Sequence, residues 1–193
     1  MVNIQGKPLA MSAGEAKVDV DWVHFLQEHA DYERKASEYA LSIIGKFPDK
    51  KFAVSLLAQV AVGCLTTFKE ICELMWQRQI ALIPESPQNL YLKQLNWLNR
   101  SGREERFLDR LLLGNIAEGR CAARFNTIST TSQDASLSVF YSSCAQLKLQ
   151  HADIYTSIAY QSFPAELIQT RMGVLTAEED KIMTKLGQAA GIF

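Results

Sequence analysis

The stretch Phe140 to Tyr155, FYSSCAQLKLQHADIY, decides the fold. Tyr141, Cys144, Lys148, His151 and Tyr155 recur at alternating intervals of three and four, the spacing that lines one face of an α-helix. Worked outward, the stripe starts at Leu137 and ends at Ile158, on a helix expected from about Gln133 to Gln161. Such a stripe is normally apolar because it is the face that packs against other helices. Here it carries two ionisable residues, Lys148 and His151.

Three more segments repeat the pattern. The first long helix is expected from about Val18 to Phe47, where Pro48-Asp49 stops it. Its inward positions are Val23, Leu26, Ala30, Glu33, Ser37, Ala40 and Ile44. The second, from about Phe52 to Arg78, presents Leu57, Val60, Cys64, Thr67, Ile71 and Leu74. A connection around Pro84, Ser86 and Pro87 leads to a short helix near Asn89 to Asn99, closed by Ser101-Gly102. The third long helix, from about Glu104 to Ser129, presents Leu111, Gly114, Glu118, Cys121, Phe125 and Ile128. Pro164 and an amphipathic, helical tail follow the fourth. With no clear strand alternation, the class is all-α: four long helices as a bundle, with a short extra helix in the crossover between the second and third.

Composition narrows the function classes. At 193 residues and 48% apolar content, the chain is expected to form a single domain over 1–193, with its core at about 18–161 and a tail at 162–193. A net charge of −1, from 20 basic and 21 acidic residues, creates no whole-protein field that would recruit nucleic acid or membrane. Met1 to Lys17 lacks the apolar run of a signal peptide, and no later segment reads as long and uncharged enough to span a bilayer, so a cytoplasmic location is expected. Cys64, Cys72, Cys121 and Cys144 form no CxxC pair and fall in apolar helical patterns, as reduced core thiols do.

Glu33, Glu118, Lys148 and His151 break the apolarity of the inward stripes. A lone buried charge is too costly to persist, so these groups must meet partners or a metal. In carboxylate-bridged di-iron bundles, two helices each give one Glu and the other two each give a Glu-x-x-His pair. Glu33 and Glu118 fit the single-Glu positions. Lys148-x-x-His151 is such a pair with its Glu replaced, and Cys64-x-x-Thr67 is one with both ligands replaced.

The segments EHADYERKASEYAL (Glu28 to Leu41), LAQVAVGCLTTFKEICELM (Leu57 to Met75), FLDRLLLGNIAEGRCAARF (Phe107 to Phe125) and FYSSCAQLKLQHADIY resemble the tRNA 2-methylthio-isopentenyl-adenosine hydroxylase family. The likeness runs from about Trp22 to Tyr160. It implies a ferritin-like fold and a non-haem di-iron centre that uses O₂ to hydroxylate the isopentenyl group of a modified tRNA adenosine beside the anticodon. His29, Ala30 and Lys35 around Glu33, and Arg120, Arg124 and Phe125 after Glu118, match the family's surroundings. Glu33, Glu118 and His151 carry over as metal ligands. Cys64, Thr67 and Lys148 stand where the family has Glu, His and Glu, so both bridging carboxylates are missing.

The expected outcome is a degenerate member without a working di-iron centre or bound cofactor, in which Lys148 forms a buried ion-pair cluster with Glu33 and Glu118 and the bundle serves binding, of tRNA, a small molecule or a protein. One alternative is a metalloenzyme with a single Fe, Mn or Zn held by Glu33, Glu118 and His151, with or without Cys64, which requires Lys148 to turn away. Another is a purely structural or interaction bundle. Cys64 reads either as an inert core thiol or as a thiol activated by Lys148. Lys93, Arg100, Arg103, Arg106 and Arg110, with Tyr91 and Trp97 as stacking surfaces, are candidate nucleic-acid contacts; Glu104, Glu105 and Asp109 interrupt the run, as on a solvated, salt-bridged helix face. His24 and His29 show no partner by spacing.

Overall fold

The computed structural model describes residues 21–84 and 90–190. The expected helix start at Val18 and the loop residues Ser86, Pro87 and Asn89 lie outside them. Among the described residues six helices follow in order: α1 Trp22–Lys46, α2 Lys51–Gln77, α3 Leu90–Trp97, α4 Arg103–Thr131, α5 Ala135–Ser162 and α6 Ala165–Ala190. Short connections fold α1 back on α2 and α4 back on α5, and these two hairpins make the four-helix bundle. The crossover from α2 to α4 carries α3.

Local chemistry sets the ends. Asp21 caps α1 by accepting from the backbone N–H of Val23 at 3.1 Å and His24 at 3.2 Å, and Asp134 does the same for α5 through Ser136 and Leu137. α1 stops at the residues before Pro48, as expected. α2 ends in a Schellman turn: Gln79 takes φ 59°, its N–H reaches Trp76 O at 3.0 Å, and Ile80 N–H reaches Met75 O at 2.9 Å. Ile80 and Met75 are both buried in the same apolar cluster, which holds the turn closed.

The core divides into two apolar clusters. One joins Phe25, Leu26, Ile71, Met75, Phe125 and Tyr141 at one end of the bundle. The other joins Ile43, Leu57, Phe107, Leu111, Tyr155 and Ile158 at the opposite end. The ionisable positions, including Glu33, Glu118 and Lys148, fall in sequence between the contributions each helix makes to the two clusters, so a polar layer crosses the middle of the bundle.

α6 is more than a tail. Ile168, Leu175 and Ile182, spaced by seven, are buried in the larger cluster. Two buried carboxylates fasten it. Arg171 on α6 reaches Asp109 at 2.7 Å, and Glu179 on α6 accepts from Arg120 at 2.5 Å and Tyr91 at 2.9 Å. The expectation that no segment could span a bilayer needs correction, because α2 is long and apolar enough by length and composition. Its apolarity is used in packing here: Leu57, Val60, Ala61, Ile71 and Met75 are buried in the bundle.

Gly114 lets α4 approach the Tyr155 ring, since a Cβ there would lie 2.7 Å from it, whereas a Cβ at Gly119 meets nothing within 4 Å. Gly114→Ala is therefore expected to lose about 1–3 kcal/mol through overpacking, while Gly119→Ala gains up to about 1 kcal/mol from helix propensity. Urea denaturation of the two variants checks this; equal effects would contradict it.

Candidate functional site: a buried ammonium between two glutamates

The inward stripes of α1, α2, α4 and α5 bring Glu33, Cys64, Glu118, Lys148 and His151 together. Lys148 is fully buried, and its Nζ lies 2.7 Å from Glu33 Oε2, 3.1 Å from Glu118 Oε2 and 3.7 Å from Cys64 Sγ. Its three N–H donors thus have three acceptors. Burial alone would lower the pKa of the amine, but the Glu118 and Glu33 carboxylates outweigh it and hold the pKa well above the ordinary lysine value. Lys148 stays charged.

Each glutamate is satisfied on both oxygens. Burial pushes the Glu33 pKa up, yet Lys148 and His29 overcome this and bring it to about 2. Its Oε1 meets His29 Nε2 at 3.0 Å, while His29 Nδ1 lies 3.2 Å from the Tyr141 hydroxyl. The consistent tautomer has Nε2–H donating to the carboxylate and Nδ1 accepting from Tyr141, and burial keeps the His29 pKa lowered. Glu118 accepts from Tyr32 O–H at 3.0 Å on Oε1 and from His151 Nδ1–H at 3.1 Å on Oε2. Across the bundle, Gly63 makes room for the imidazole, since a Cβ there would lie 2.5 Å from His151 Nε2.

The expected placement of Lys148 against Glu33 and Glu118 is what the geometry contains. Two other expectations change. His24 and His29 do have partners at four-residue spacing, His24 with Glu28 at 3.1 Å and His29 with Glu33. The donor atoms lying within 4.8 Å of one another belong to Cys64, Glu118 and His151, and Glu33 is outside this set, held by Lys148 and His29. Cys64 is near the ammonium, but burial dominates and pushes its thiol pKa up, so it is not an activated thiolate. Thr67 is buried but turned to its own helix, with its hydroxyl donating to Gly63 O at 3.1 Å.

These residues do not fit a di-iron centre. Of the two positions expected to bridge metals, 148 carries an ammonium whose three donors are all engaged, and 64 carries a thiol whose pKa burial pushes up. The third replaced position, Thr67, directs its oxygen away. Sequence reasoning missed His29 and Tyr32. The four-residue step from His29 to Glu33 was the available signal for the first. For Tyr32 none existed, because its contact with Glu118 depends on how α1 faces α4.

The candidate nucleic-acid residues do not make one patch. Arg100 pairs with Asp109 at 2.9 Å and Arg103 pairs with Asp49. Arg106 donates to Arg100 O at 3.0 Å. Arg110 is 4% exposed and lies with Lys93 along a cleft beside α1. Tyr91 is tied to Glu179, while Trp97 is 77% exposed.

Removing the ammonium would leave two buried carboxylates uncompensated. Lys148→Met is expected to cost about 3–5 kcal/mol at neutral pH. Because Glu33 is depressed from its ordinary 4.5 to about 2, its contribution is complete above 4.5 and disappears as pH falls toward about 2. The deficit of the variant should therefore shrink through that window. Denaturant titrations at several pH values measure it; a deficit independent of pH would contradict the assignment.

Comparison with known proteins agrees with this architecture. A solved structure described as a protein with aldehyde deformylating oxygenase activity from Synechococcus superposes with a TM-score of 0.78 at 29% identity, covering 81% of this chain and 77% of that one. The fold is thus ferritin-like. A tRNA 2-(methylsulfanyl)-N(6)-isopentenyladenosine(37) hydroxylase from Pseudomonas putida is 27% identical over 135 residues, 70% of this chain and 65% of that relative's length. The family model for tRNA-(MS[2]IO[6]A)-hydroxylase (MiaE) matches residues 12–191. With nearly the whole chain matched, this protein belongs to the tRNA-(MS[2]IO[6]A)-hydroxylase family.

Proposed function

We propose that this chain is a family member without a working di-iron centre, and that its bundle has been kept to bind, with a tRNA bearing the modified adenosine as the macromolecular partner. The observation that carries this reading is the Lys148 ammonium, 2.7 Å from Glu33 and 3.1 Å from Glu118. A fixed cation there repels a divalent ion and uses the oxygens such an ion would need. The tRNA partner is supported by the family and by the activity that names the Pseudomonas relative.

One observation favours a second reading. Cys64 Sγ, a Glu118 oxygen and a His151 nitrogen lie within 4.8 Å of one another, a thiolate-containing donor set suited to one zinc ion. Binding there requires the Cys64 thiol and His151 Nδ1 to give up their protons and Lys148 to leave Glu118.

Metal analysis of protein purified from iron-, manganese- and zinc-supplemented medium, paired with mass spectrometry of hydroxylated and unhydroxylated tRNA nucleosides, tests both readings. We expect metal far below one ion per chain and no new hydroxylated nucleoside. One zinc per chain would support the second reading; two irons per chain, or hydroxylation, would overturn the first. The triple variant Lys148→Glu, Cys64→Glu, Thr67→His should regain two-metal binding.

A further inference from the structure

A cleft of about 410 Å³ lies between α1, α3 and α4 and is lined by Leu95, Leu113, Ala117 and Tyr155 together with Tyr32 and Glu118. Its depth is mainly apolar. Its wall also carries Lys46 and Arg110, and the charges of these two residues are unbalanced. Among the described residues, no carboxylate forms an ion pair with either. Glu38, on the same cleft, is taken by Arg34 at 2.6 Å, and Asp109, the residue before Arg110, is taken by Arg100 and Arg171.

Arg110 is the more unusual of the two. Its guanidinium lies over the Tyr39 ring, 4.5 Å from the centroid, and donates to the Ser42 hydroxyl, but its Nε is buried without a hydrogen-bond partner. A buried arginine normally meets an acid or uses all its donors. Lys46, exposed in the last turn of α1, also forms no ion pair among the described residues. The nearby Arg110 charge is the leading influence lowering its pKa, followed by burial and Arg106. Two cations held side by side without an acid, at an apolar cleft, suit a ligand that brings the missing negative charge.

We propose that Arg110 and Lys46 form an oxyanion subsite that binds the phosphate of an organic monophosphate whose apolar body fills the cleft toward Tyr32 and Glu118. This deepens the binding role proposed above and rests on it. The phosphate could be part of a nucleotide or head an acyl or prenyl chain; both offer the same oxyanion, and the ligands tested separate them.

Calorimetric titration of the full chain would compare N6-isopentenyladenosine 5′-monophosphate with its unphosphorylated nucleoside, and dodecyl phosphate with dodecanol. Phosphorylation is expected to tighten binding by about tenfold or more, as charge-assisted hydrogen bonds do. Lys46→Met and Arg110→Met should each erase most of that gain, while Lys69→Met, an exposed change on α2, leaves it intact. Lys46 is exposed, so its variant keeps the test open if Arg110→Met fails to fold. A gain for dodecyl phosphate alone would uphold the subsite while counting against a tRNA nucleotide as its occupant. No gain from phosphate in either pair, or a gain that survives Lys46→Met, would overturn the inference.

Discussion

One ammonium and two carboxylates in the middle of the bundle make contact between three helices. Lys148 extends from α5 to Glu33 on α1 and Glu118 on α4, and it adds a contact to Cys64 on α2. Water could not replace any of these partners at no cost, because every atom concerned is buried. The cluster therefore fixes helix register: sliding any helix by a turn would move its polar residue into one of the flanking apolar clusters. The same constraint explains the surrounding groups. His29 and Tyr141 orient Glu33, Tyr32 and His151 orient Glu118, and together with Lys148 they leave no carboxylate oxygen unbonded.

Buried acids with arginine partners recur away from the centre. Asp109 gathers Arg100 and Arg171, and Glu179 gathers Arg120 and Tyr91, so that α3, α4 and α6 are joined at defined points. Against that background the cleft between α1 and α4 differs, since among the described residues Arg110 and Lys46 form no ion pair there. The same cleft is also lined by Tyr32 and Glu118 of the central cluster. A ligand in the cleft would therefore meet Tyr32 and Glu118, the second of which pairs with the buried ammonium.

The helices and most of the central cluster were legible in the sequence because each long helix carries an unbroken three-and-four stripe. The second long helix was expected at Phe52 to Arg78 and runs Lys51–Gln77; the fourth was expected at Gln133 to Gln161 and runs Ala135–Ser162. Lys148, His151, Glu33 and Glu118 stood out because charge on an inward stripe demands a partner. The stretch beyond 161 reads as a tail, yet Ile168, Leu175 and Ile182, at seven-residue spacing, pack into the core. The contacts of Tyr32 and Arg110 could not be read, since both face across α1 and α4 and no local pattern reports that distance. Thr67 lies on the inward stripe as expected, but a threonine hydroxyl can bond its own helix backbone, and here it does.

The central proposal is that an amine takes the place that metal ions hold in the family's centre. Crystals grown with excess iron, then with zinc, and measured at each absorption edge test it most directly. The account predicts no anomalous peak between residues 33, 118 and 151, and Lys148 Nζ within hydrogen-bond distance of both glutamates. A strong peak there, with the Lys148 side chain turned out of the cluster, would contradict it.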